Sequence, residues 1–321
     1  MKDNICIARA IYGGQPGRRA KAFIALLALT ALCTCALAQD NSSDYSYKKA
    51  DYWYKRGLDL AGSGAYEDAL EAYDKAIRIY PDNAGFWDSK AAVLGSLFIS
   101  ENNTTKYQQS LQAYDKAIEL YDESIQSDPK DVNVWYYKGL ALSNKAAIMR
   151  ASSNFDRNYD EQGVIVSLNE AVKSYERAIE INPKYLTAWK NKGIVLCSLG
   201  EYNDSLEDFD QAIKIDPKYA LAWYNKGLAL NQLGRYDESV QAYNKAIEIS
   251  SKNADFWYDK GNSLSSQGNY EAAIKCYEEA IRLNPSFVDA WYQKSAAYKK
   301  LGSDTVADAA FARASYLGRM V

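Results

Sequence analysis

Not one histidine occurs in this chain of 321 residues. Ser-His-Asp and Cys-His relays are therefore excluded, with most transition-metal sites and any imidazole switch near neutral pH. The five cysteines show no metal or redox spacing: Cys6, Cys33 and Cys35 lie near the N-terminus, and Cys197 and Cys276 stand far apart. The last two read as small buried apolar residues rather than a disulfide or a redox pair. There is no phosphate-cradling glycine loop, and the carboxylates are dispersed, so no acid–base pair singles itself out. The chain reads as a non-enzyme, with no cofactor and no metal expected. What recurs instead is aromatic, amide and basic side chains at a fixed step, a pattern that suits binding.

That step is 34 residues. All seven tryptophans (Trp53, Trp87, Trp135, Trp189, Trp223, Trp257, Trp291) occupy the same place in a repeated unit, and five of the six prolines (Pro81, Pro129, Pro183, Pro217, Pro285) close a copy. Counting within a copy, Trp is position 4 and position 8 is small, from Gly57 through Gly261 to Ser295. Positions 20 and 27 are Ala or Ser, and position 24 is aromatic (Tyr73, Tyr121, Tyr175, Phe209, Tyr243, Tyr277, Phe311). Small residues let two helices approach and aromatic knobs fill the space between them; each ring removes roughly 150–250 Å² from water. A gly-containing turn near position 15 separates two helical periods.

This pattern resembles the tetratricopeptide repeat, whose unit is a helix–turn–helix with Trp, Leu-Gly, Tyr, Ala, Phe and Pro at set places. The resemblance covers residues 50–321 and implies an all-α, right-handed superhelical solenoid of about seven hairpins. The copies are 50–83, 84–131, 132–185, 186–219, 220–253, 254–287 and 288–321. The second and third are longer by 14 and 20 residues, since Trp87 to Trp135 is 48 residues and Trp135 to Trp189 is 54. In copy two either Tyr114, Ala117 and Tyr121 or a register seven earlier, on Tyr107 and Tyr114, supplies positions 17 to 24. Two adjacent hairpins lengthened alike can pack together as a ridge; tolerated insertions and a recognition surface are both open readings. Copy seven is degenerate and reads as a cap or as a face that meets a partner. The wording of regular copies, such as WYNKGLAL, is similar to that of repeat proteins of methanogenic archaea.

The resemblance also implies a concave groove lined by the first helix of each hairpin, where an extended or helical peptide lies. The candidate groove residues are Tyr54, Tyr136, Lys190, Asn191, Tyr224, Asn225, Tyr258, Asp259, Asn262, Tyr292 and Gln293. Rings offer rigid contact area, and amides both donate and accept toward a peptide backbone. Repeat consensus alone would supply many of the same types. The carboxylate clamp of chaperone-binding members would need Lys190, an Asn at 194, Asn225, a Lys at 255 and an Arg at 259. Ile194, Asp255 and Asp259 stand there instead, and the acids would repel a carboxylate. Position 7 carries Arg56, Lys90, Lys138, Lys192, Lys226, Lys260 and Lys294 where the family prefers Leu. A stem packed on the ring three residues earlier, with its charge on water or an acid, is the simpler reading; a functional cationic ladder is the other.

Residues 1–38 read as a signal peptide or signal anchor. Arg18, Arg19 and Lys21 precede an apolar run, and Ala36-Leu37-Ala38 resembles a cleavage site. The charge asymmetry places the repeats outside the cytoplasm, with possible membrane association through residues 22–38. Without residues 1–38, 33 basic and 40 acidic residues remain, a net of −7 that argues against nucleic acid. Residues 39–49 are polar and aperiodic, which suggests a tether. Asn41, Asn102, Asn103 and Asn203 sit in glycosylation sequons. The sequence as a whole points to an extracytoplasmic scaffold or adaptor for a protein partner. A membrane-anchored assembly factor for an envelope complex is one alternative, and a binder of surface glycan or small ligand is another.

Overall fold

The computed structural model describes residues 41–154 and 159–319; the expected leader, residues 1–38, lies outside the described residues. Those residues form helices α1 (Asn41–Ser63) and α2 (Tyr66–Ile79), then α3 (Ala84–Glu101) and α4 (Thr104–Ser127). Next come α5 (Val132–Ala151) and α6 (Glu161–Ile181), α7 (Leu186–Leu199) and α8 (Tyr202–Ile215), α9 (Ala220–Gln232) and α10 (Tyr236–Ile249). The series ends with α11 (Ala254–Ser266), α12 (Tyr270–Leu283), α13 (Val288–Lys300) and α14 (Asp304–Gly318). Each named pair is one hairpin, and the architecture is an all-α solenoid. Odd-numbered helices are the A helices and even-numbered ones the B helices. The hairpins group into two compact units that part between Ala188 and Trp189, inside α7.

Within a hairpin the closest approach is at position 8. A methyl group on Gly57 would lie 2.5 Å from the Tyr73 ring, and one on Gly261 would lie 2.6 Å from Tyr277. The ring at position 24 therefore rests directly on backbone, and position 20 closes the other side. Where position 20 is Ser239, its hydroxyl donates to the Gly227 carbonyl at 2.8 Å. The turn needs a left-handed residue, supplied by Gly234 (φ 73°) and Gly268 (φ 80°) and in copy two by Asn102 (φ 53°). Five of the repeat tryptophans have a second use: the Trp87, Trp135, Trp223, Trp257 and Trp291 indoles donate to the carbonyl six residues earlier, at 2.8–3.2 Å. That bond ties the loop before the A helix to the helix itself.

At four junctions successive hairpins meet through a third ring, which comes from one of two places. Phe86 and Phe256, at position 3, pack on Tyr54 and Tyr224 with centroids 4.7 Å apart. Elsewhere the ring is the residue just before position 1: Tyr185 lies 5.0 Å from Tyr136, and Phe287 lies 4.9 Å from Tyr258. Position 3 is then alanine, as at Ala188 and Ala290, both buried. When position 3 holds the bulk, the preceding place is free for a cap. Asn83 accepts from the Phe86 N–H, Asn253 from the Asp255 N–H, and Asp131 from those of Asn133 and Val134. Tyr219 and Phe287, at the same place, make no side-chain cap. Ring and cap compete for one residue, and each junction uses one of the two.

Two features differ from the sequence reading. Residues 41–49 do not form a tether, because α1 begins at Asn41. Tyr47 packs edge-on against Tyr80 at 5.6 Å, which holds a stretch with no apolar period of its own. In copy two both registers are used. Ser110 donates to the Ala91 carbonyl at 2.8 Å, as Ser239 does to Gly227, so its own A helix reads the earlier register. Toward copy three, Asp122 pairs with Lys138 at 2.5 Å, which follows the later one. Seven residues are about two turns, so one face of the 24-residue α4 serves both neighbours. The lengthened hairpins also pack on each other. A methyl on Gly95 would meet Ile148, Lys145 pairs with Asp115 at 2.6 Å, and Ser152 donates to the Tyr107 hydroxyl at 3.3 Å.

Candidate interaction face

The tyrosines expected to line a groove are core residues. Tyr54, Tyr136, Tyr224 and Tyr258 are only 2–7% exposed, each wedged between the position-24 ring of its own hairpin and a ring of the next. They cannot present aromatic area to a peptide without parting two helices. The sequence reading missed this because position 5 faces the groove in one copy and the next hairpin in the stack at once. Tyr292 is the exception at 38% exposed, packed only edge-on against Phe311 at 5.5 Å. Asn225 is also buried, and its amide donates back to the Leu221 carbonyl at 2.8 Å. Lys190 and Asn191 are half-buried, and burial pulls the Lys190 ammonium down to about 8. Gln293 is exposed.

Three of the expected residues are brought together. The Tyr224 hydroxyl donates to Asp259 Oδ2 at 2.8 Å, the Asn262 side-chain amide donates to Asp259 Oδ1 at 3.1 Å, and the Tyr277 hydroxyl donates to Asn262 Oδ1 at 3.1 Å. This chain of bonds crosses from copy five to copy six. Burial, then Asp259 and Asp255, holds the Tyr224 hydroxyl well above its ordinary range. Asp259 is itself buried, at 3% exposed, whereas Asp255 is half-buried. Asn231 extends the polar strip by donating to Ser263 Oγ at 2.5 Å, and Ser263 also bonds Ser239 at 2.9 Å. Asp255 was overlooked as a site residue, although its place in the clamp comparison had already marked it as acid where a base was needed.

The other unit has a charge at the same position. Asp88 replaces tyrosine at position 5 of copy two, and burial pushes its carboxyl up to about 7. Asp88, Tyr54 and Tyr137 all raise the buried Tyr121 hydroxyl, which burial itself raises most. Oδ1 of Asp88 meets no protein donor, and Tyr54 instead shares its hydroxyl with Ser89 at 3.2 Å.

Five of the seven basic residues of position 7 form stitches to an acid. Lys90 pairs with Asp74, Lys138 with Asp122, Lys226 with Asp210 and Lys294 with Glu278, at 2.5–2.9 Å. Each acid lies sixteen residues earlier, on the B helix of the preceding copy. Lys192 turns to Asp208 of its own copy at 3.2 Å. From Lys90 onward every ammonium also sits 5.4–6.0 Å from the indole centre three residues before it. Each stitch contributes about 0–1 kcal/mol from the ion pair and about 0.5–1 from the ring. A cleft of about 470 Å³ between α2, α3 and α4 holds Trp87, Gln109, Gln112 and Glu71, but its two lysines are already paired, Lys90 to Asp74 and Lys106 to Glu67.

Models of the tetratricopeptide repeat match residues 50–83, 168–220, 190–254, 242–275 and 261–302. With seven hairpins of the same construction, the chain belongs to the tetratricopeptide-repeat family, and such repeats make it a protein-interaction scaffold. A tetratricopeptide repeat protein from Parabacteroides merdae superposes with a TM-score of 0.52 over 84% of this chain and 94% of that one, at 17% identity. MamA from Desulfovibrio magneticus gives 0.46 over 56% and 98%, at 19% identity. Likeness at these identities concerns the fold. An uncharacterized protein of Methanocaldococcus jannaschii is 41% identical over 51 residues, which is 16% of this chain. The chain spans 59% of the length of that curated relative. No described helix is long and apolar enough to cross a membrane.

Proposed function

We propose that this chain is an extracytoplasmic, non-catalytic adaptor whose A-helix face in copies five to seven receives a basic segment of a protein partner. The observation that carries this reading is half-buried Asp255, one helical turn before a buried Asp259 that Tyr224 and Asn262 hold. Asp289 repeats Asp255 one copy on, at position 2 of copy seven. A face that presents the half-buried acids Asp255 and Asp289 favours ammonium and guanidinium groups and disfavours carboxylates. The extracytoplasmic part rests on the basic and apolar order of residues 18–38.

Fluorescence titration of the purified chain with basic, neutral and acidic decapeptides tests it. The basic peptides are expected to bind most tightly and to weaken in high salt, because partly exposed charges are screened there. Asp255→Asn is expected to weaken them several-fold while leaving the circular dichroism spectrum unchanged. Equal binding of acidic peptides, or no effect of Asp255→Asn, would overturn the acidic-face reading. Tyr224 and Tyr258 are poor probes, since removing either opens the core.

A further inference from the structure

We propose that copies of this chain associate head to tail, with Tyr52 of one molecule filling the open aromatic seat formed by Tyr292 and Phe311 of another. The stack itself supplies the template. At four junctions inside the chain, the rings at positions 5 and 24 of one hairpin are capped by a third ring from the next, with centroids 4.7–5.0 Å from position 5. Copy seven has the first two rings and, among the described residues, no third. Tyr292 and Phe311 meet edge-on at 5.5 Å, and Phe311 is 51% exposed, whereas its counterparts Tyr73, Tyr175, Phe209, Tyr243 and Tyr277 are buried.

The opposite end carries the matching knob. Tyr52 is at position 3 of copy one, the place of Phe86 and Phe256. Those two are buried on the preceding hairpin, but Tyr52 is 59% exposed, and its ring contact among the described residues is with its neighbour Trp53, edge-on at 5.4 Å. Lys49, just before position 1, carries no ring, so position 3 is the place at this end that can supply one. Knob and seat are each unused among the described residues. A second copy of the chain is the partner whose ring has the right place and kind. A large exposed ring is a common interface anchor.

The contact is expected to be weaker than an internal junction. Arg56 holds position 7 of copy one, but the place sixteen residues before it in such a stack is Ala312, so the ion-pair stitch is missing. Because knob and seat differ, the interface is heterologous and open-ended, which leads to chains rather than closed dimers.

Sedimentation velocity on the purified full chain, from about 1 to 100 µM, covers the range of weak specific interfaces. The parent is expected to grow in size with concentration. Tyr52→Glu and Phe311→Glu are each expected to stay monomeric. Both rings are exposed, so melting temperatures should hold. An equimolar mixture of the two variants is the decisive arm: one keeps the seat and the other the knob, so it should form a dimer and go no further. A parent that is monomeric throughout would overturn the proposal, including the case in which another segment of the chain covers either ring. Association retained by Tyr52→Glu, or a mixture that stays monomeric while the parent associates, would overturn it too.

Discussion

Asp88 stands where five other copies carry tyrosine, and its cost depends on pH. Its carboxyl is raised from an ordinary 3.8 to about 7 by burial. Between those values the folded chain holds a proton that the unfolded chain has released. Stability from this group is therefore highest below pH 4, falls as pH rises to about 7, and is flat above. The full swing is on the order of 4 kcal/mol as an upper limit. Asp88→Asn removes the titration, so urea midpoints at pH 5 and pH 8 should differ less in the variant than in the parent. An equal difference in both would mean that Asp88 is ionised in the folded chain at pH 5.

At the scale of one helix start, ring and cap share a site and can be exchanged. Phe256→Ala removes the ring that packs on Tyr224 and leaves a cavity, expected to cost about 3–5 kcal/mol. Adding Asn253→Tyr creates the pairing found at Tyr219 and Ala222. It loses the Asn253 cap, about 1 kcal/mol, and supplies a ring from the other place. The double variant is therefore expected to melt above Phe256→Ala and below the parent. A double variant less stable than the single would show that the two junction classes are not interchangeable.

Within each of the two units, stability is distributed junction by junction, because hairpins pack on their sequence neighbours. The lengthened hairpins of copies two and three add a second layer of contact where Ile148 is buried against Gly95. Ile148→Ala is expected to cost about 2–5 kcal/mol. Hydrogen exchange should show the loss in α3 to α6, with α11 and α12 unchanged. Uniform loss of protection along the chain would mean that the array unfolds as a single unit.

Repeat number, hairpin boundaries, the ring-on-glycine contact and the lysine stem on its tryptophan were all legible in the 34-residue step. They depend on neighbours three to twenty residues apart, and such pairs recur in every copy. The acids sixteen residues before the lysines were equally available, since Asp74, Asp122, Asp210 and Glu278 keep a constant offset. What the repeat pattern could not decide is whether a side chain on an A helix meets a ligand or the next hairpin. Tyr224 and Tyr292 share one repeat position, yet one is buried under Phe256 and the other is open. Only the stack separates them, because burial at position 5 is conferred by a residue of the following copy. The Tyr224–Asp259 bond was hidden for the same reason: its members lie in different copies, and only packing sets their distance.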